Sequence, residues 1–81
     1  MPNNINNWTY KEVVTFLREH NFILNHTRGS HHYFTCVINK ILRHVCVPYH
    51  GNVAIKPRTM KSIIEQSGMA KEIWFGRKSA K

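Results

Sequence analysis

The chain has 81 residues, with 12 lysines and arginines against four glutamates, no aspartate and a formal net charge of +8. That length allows one small domain over residues 1–81 and excludes a second, while ordinary apolar content and few Gly and Pro exclude disordered and fibrous classes. So much positive charge on so small a surface predicts a polyanion as partner, drawn in by steering and counterion release; a basic surface kept only for solubility, or a ribosomal-type structural role, is the blander alternative.

Residues 1–8 read as a polar N-terminus without the basic and apolar regions of a signal peptide, and no apolar run approaches the roughly 18 residues of a membrane span. The expectation is a cytoplasmic protein with no membrane association. In a reducing compartment Cys36 and Cys46 are expected to be free thiols.

A first helix is predicted to begin near Thr9. Thr9 can cap it, Glu12 stands three residues on as in a capping box, and Trp8 with Val13 completes a hydrophobic staple. Tyr10, Val13, Val14 and Leu17 keep the spacing of one helical face, Phe16 widens the stripe, and Asn21 is suited to the left-handed cap. Phe22-Ile23-Leu24 reads as a short strand, and the polar stretch from Asn25 to Gly29 as a loop.

From Ser30 to Ile38 the residues alternate. Phe34, Cys36 and Ile38 share a face with Ser30 and His32, whereas His31, Tyr33, Thr35 and Val37 share the other. Asn39-Lys40 is a two-residue turn, and the strand from Ile41 to Val47 returns until Pro48 ends it. That turn sets Cys36 opposite Arg43 and Cys46 opposite Tyr33, so the two thiols point to opposite faces and cannot bridge across the hairpin. It also gathers His31, Tyr33, Thr35, His44 and Cys46 on one face and sets Phe34, Cys36, Ile38, Val45 and Val47 inward.

Tyr49-His50-Gly51-Asn52 is a turn leading to a second helix, which Pro57 suits at its first turn. Met60, Ile63 and Ile64 form its apolar stripe and Gly68 ends it. Met69 to Phe75 can add a short helix, and 76–81 is expected to fray. The order predicts an α+β fold, α-β-β-β-α, whose three-stranded antiparallel sheet buries one face under two helices and leaves the other open.

Chemistry concentrates at Gly29-Ser30-His31-His32. Gly29 permits close approach of a phosphate chain, Ser30 can donate to phosphate or simply cap its loop, and alternation sets His31 on the open face and His32 against the packing. An imidazole near neutral pKa can take the proton of a ribose 2′-hydroxyl without any metal, and Arg28 beside it can stabilise the charge developing on phosphorus. A lone exposed histidine is also a common bystander. Lys56, Arg58 and Lys61 cluster where the second helix begins, as a phosphate clamp or as a solvated face. His32, Tyr33 and His50 are secondary candidates. Six histidines and two cysteines raise a metal site, but Cys36, His44, Cys46 and His50 fit neither a C-x-x-C nor an H-x-x-x-H spacing, so no metal and no cofactor are expected.

Asn21-Phe22, then Arg28 to Phe34, then Val45-Cys46-Val47-Pro48-Tyr49-His50-Gly51, then Thr59 to Gly68 form an ordered set of motifs. This set resembles the HicA toxins over about Tyr10 to Met69, with Asn21 standing where that family commonly has Gly. The resemblance implies a fold like a double-stranded RNA-binding domain, an mRNA endonuclease whose essential histidine is His31 with Gly29 needed beside it, and a HicB-like antitoxin as protein partner. The same fold binds RNA without cutting it in other proteins, so a non-catalytic RNA-binding module is the rival reading.

Overall fold

In the computed structural model, which describes residues 4–75, the elements run α1 (Tyr10–Glu19), β1 (Ile23–Arg28), β2 (His31–Ile38), β3 (Ile41–Pro48), α2 (Pro57–Ser67) and α3 (Lys71–Trp74). The strands form one antiparallel sheet in the order β1-β2-β3, so the expected α+β arrangement with an open three-stranded sheet is the one observed. The segment 76–81, expected to fray, lies outside the described residues.

Local chemistry explains the element boundaries. Thr9 caps α1 through a complete capping box: its hydroxyl accepts from the Glu12 amide, and its own amide donates to Glu12 Oε1 at 3.0 Å. Asn21 takes a left-handed φ of 72° just past the helix, as expected of an Asn substituting for Gly. Asn39 and Lys40 both have positive φ, the mark of a type I′ turn, whose twist matches the strands it joins. Gly29 at φ 58° begins the two-residue turn between β1 and β2.

The core lies on one side of the sheet. Phe34, Val45 and Val47 meet Val13, Phe16 and Leu17 of α1 and Met60, Ile63 and Ile64 of α2. Within the described part of the N-terminal segment, Trp8 is fully buried, and Ile55 in the chain leading to α2 donates its amide to the Trp8 carbonyl at 2.6 Å. At the other end Trp74 stacks on Phe16 with ring centroids 3.9 Å apart, which gives the aromatic segment after Met69 a place in the core. Its indole N–H donates to the Ser67 hydroxyl, which also accepts from the Met69 amide and donates to the Ile64 carbonyl, so this buried serine is fully bonded.

One expectation is corrected. The polar stretch after Leu24 is strand rather than loop, because β1 continues to Arg28 through an irregularity between Leu24 and His26. Every residue of β1 is exposed, so no apolar alternation marks it in the sequence. The irregularity sets His26 opposite Tyr33 and Arg28 opposite His31. An extra residue in one strand shifts the pleat by one position, and that shift delivers both side chains to the open face.

Candidate functional site

The β2 pleat separates the two adjacent histidines. His32 points towards α1, where its Nδ1 lies 2.6 Å from the Tyr10 hydroxyl and its ring stacks with Tyr49 at a centroid distance of 5.6 Å. Burial pushes the Tyr10 phenol above its ordinary pKa; Arg18 opposes the shift and Tyr49 adds to it. The phenol therefore stays protonated and can donate to His32 when the imidazole carries its proton on Nε2. His32 is occupied by packing.

His31 is exposed on the other face, paired with Pro48 of β3 on one side and Arg28 of β1 on the other. It opens onto a groove of about 530 Å³ between the outer edge of β3 and α2, together with His50, Lys56 and Arg58. Gln66 of α2 fixes the wall of this groove by accepting from the Cys46 amide at 2.9 Å, and the Thr9–Ala54 bridge anchors the chain that leads into the helix. Lys56 is the N-cap of α2 and makes no side-chain hydrogen bond to it, and Pro57 follows in the first turn. Helix α2 thus begins beside the groove without a side-chain cap on its first amides and next to two cationic side chains, an arrangement that suits an anion.

Of the residues singled out in the sequence, His31, His50, Lys56 and Arg58 share the groove. Arg28 flanks His31 across the strand pair, and Tyr33 follows His31 on the same face. Gly29 and Ser30 form the turn just before His31, and the Ser30 carbonyl accepts from the Tyr49 amide at 2.7 Å, which ties this turn to the groove loop. A Cβ at Gly29 would meet nothing within 4 Å, so its need for Gly is conformational at φ 58° and the space above it is open. Lys61 is not brought to the groove: it borders a second, more apolar cavity with Ile5, Ile64 and Phe75. It stands three residues beyond Arg58, less than one helical turn, yet on another side of α2.

Cys46 also lines the groove, while Cys36 lies on the inward face opposite Arg43; both are free thiols, as the register requires. Among the described residues, no three His, Cys or Glu side chains come together as a metal site would need. Among the described residues no helix is long and apolar enough to cross a membrane. The residue that sequence reasoning missed is His26. Its ring stacks on Tyr33 at 4.5 Å with a 13° interplanar angle, and its Nδ1 is bonded to Asn25 Oδ1 at 2.7 Å. Only the strand irregularity brings it there.

An imidazole open to solvent, next to a cationic groove at a helix N-terminus, can take a proton from a hydroxyl whose neighbouring phosphate the cations hold. The model of the HicA toxins of bacterial toxin-antitoxin systems matches residues 10–69, which takes in α1, the whole sheet and α2. The chain belongs to the HicA toxin family. It is accordingly a toxin whose counterpart is an antitoxin. Neither the curated proteins nor the solved structures searched contain a match to it. Within the HicA match fall His31, His50, Lys56 and Arg58, whereas Trp8 and Trp74, which complete the core, lie outside it.

Proposed function

We propose that this HicA toxin is a metal-independent endoribonuclease that cuts mRNA in the cytoplasm with His31 as general base. The observation that carries the reading is the groove in which exposed His31 stands with Lys56 and Arg58 at the start of α2. The groove cations and the α2 amides hold the scissile phosphate. His31 removes the ribose 2′-hydroxyl proton, the 2′-oxygen attacks phosphorus, and the bond to the 5′-oxygen breaks, leaving a cyclic 2′,3′-phosphate and a 5′-hydroxyl. The leaving oxygen takes its proton from water or from His50, which lines the same groove. Arg28, across the strand pair from His31, adds charge stabilisation.

A HicB-like antitoxin is the partner this reading assigns, silencing the toxin by occupying the cationic groove; an acidic surface would fit it by charge. The test is purified toxin with labelled mRNA in EDTA. Wild type is expected to produce new 5′ ends and His31→Ala none, with the same far-ultraviolet circular dichroism. RNA binding without new ends from the wild type would replace this reading with a non-catalytic RNA-binding module, and undiminished cleavage by His31→Ala would remove the histidine from the chemistry.

A further inference from the structure

The open face of the sheet carries more than His31. All four acidic residues of the chain, Glu12, Glu19, Glu65 and Glu72, sit on the helices, so the strands contribute cations and rings but no negative charge. His31 pairs with Arg28, and the next row on the same face pairs Tyr33 with His26. The two rings of that second row are stacked and nearly parallel, and the bond to Asn25 holds the imidazole in its plane. Tyr33 is part-buried and His26 is exposed, so Tyr33 backs the stack and the His26 ring is its solvent-accessible member. Successive side chains on one face of a strand are roughly 7 Å apart, about the reach between one nucleotide of an extended strand and the next.

We propose that the Tyr33–His26 pair is a stacking platform for an unpaired nucleobase next to the scissile phosphate, which makes single-stranded rather than duplex RNA the substrate. The inference rests on the ribonuclease reading for its scissile phosphate and adds to it the form of RNA that fits. A base inside an A-form duplex is already stacked on its neighbours and offers no free π-face, whereas a splayed base stacks on aromatic side chains whatever its identity. The chemistry makes the same demand. In-line attack needs the 2′-oxygen, phosphorus and 5′-oxygen aligned, a geometry that a regular duplex backbone does not reach and that a base held out on a platform can impose. Arg28, beside the platform and opposite His31, neutralises the phosphate between the two.

Binding of uncleavable RNA tests this independently of any nuclease activity. The probe is a 2′-O-methyl oligonucleotide of about ten nucleotides carrying 2-aminopurine, alone or annealed to its complement, titrated with wild type, Tyr33→Phe, Tyr33→Leu and His26→Ala at one fixed salt concentration. The single strand is expected to bind at least about tenfold more tightly than the duplex, with quenching of the 2-aminopurine. Tyr33→Leu should lose about tenfold in affinity together with the quenching, Tyr33→Phe should keep both, and His26→Ala, on an exposed edge strand where folding is not at risk, should lose part of each. Equal affinity for the duplex, or wild-type quenching and affinity in Tyr33→Leu and His26→Ala, overturns the platform; the second result would return this face to a protein partner. Failure of the ribonuclease reading shows separately, as a wild-type protein that binds and quenches the probe yet leaves all-ribose RNA intact.

Discussion

His31 and His32 are neighbours in sequence and opposites in circumstance. The ring of His32 lies between Tyr10 and Tyr49, bonded to a phenol that burial keeps protonated. His31, one residue earlier on the same strand, faces solvent, Arg28 and the cationic groove. The same contrast runs through the whole sheet: the helix-covered face holds Phe34, Val45 and Val47 at full burial, while the other face exposes Ile23, Val37 and Leu42 at its far end and the histidines at its near end. Thr35 is the exception on that open face, only 8% exposed in the central strand between Ile23 and His44. One strand can thus be a structural beam on one side and a chemical surface on the other, because successive side chains alternate.

The contrast breaks most sharply by mutation of each histidine. His31→Ala is expected to lower RNA cleavage by about 10²–10⁴-fold while leaving the melting temperature unchanged. His32→Ala should do the reverse, costing about 1–3 kcal/mol of stability through the orphaned Tyr10 hydroxyl and the lost ring contacts, with cleavage per folded molecule retained. Paired cleavage and denaturation measurements decide it; equal loss of cleavage in both variants would mean that the pleat does not separate the roles.

On the covered face, Gly68→Ala is expected to cost about 1–2 kcal/mol in urea denaturation. The residue stands at φ 74°, where an L side chain is strained, and the added Cβ would come 2.6 Å from Nε of Arg43, so the guanidinium end of that side chain must also shift.

Charge separates the groove from the rest of the surface. Lys56→Gln and Arg58→Gln should each weaken RNA binding and lower the slope of affinity against salt by about 0.7–0.9, the loss of one phosphate contact, whereas Lys61→Gln, on the other cavity, should leave both close to wild type. Equal slopes for all three variants would dissolve the groove into a diffuse basic surface. The smallest effect lies at the hairpin that joins the two faces. Lys40 holds φ 66° without being Gly, so Lys40→Gly is expected to raise stability by about 0.5–1 kcal/mol with cleavage unaltered.

Much of this molecule is written locally. Thr9 with Glu12, Asn39 with Lys40, Pro57 and Gly68 each specify a cap or turn through their own backbone preferences, and the alternation from Phe34 to Ile38 fixes which face is inward. Those are short-range effects that neighbouring residues complete among themselves, so helix, strand and turn order and the opposed directions of His31 and His32 are legible without coordinates. The tertiary structure decided what depends on chain segments meeting across the sheet. The irregularity in β1 has no apolar signature, yet it turns His26 and Arg28 onto the face of His31. The packing of α2 along β3 brings Lys56 and Arg58 to the groove and leaves Lys61 outside it, and the docking of Trp74 on Phe16 gives the last aromatic residues a place in the core. Residue type and spacing set direction along one element, whereas distance between elements is set by packing, which is a property of the whole chain.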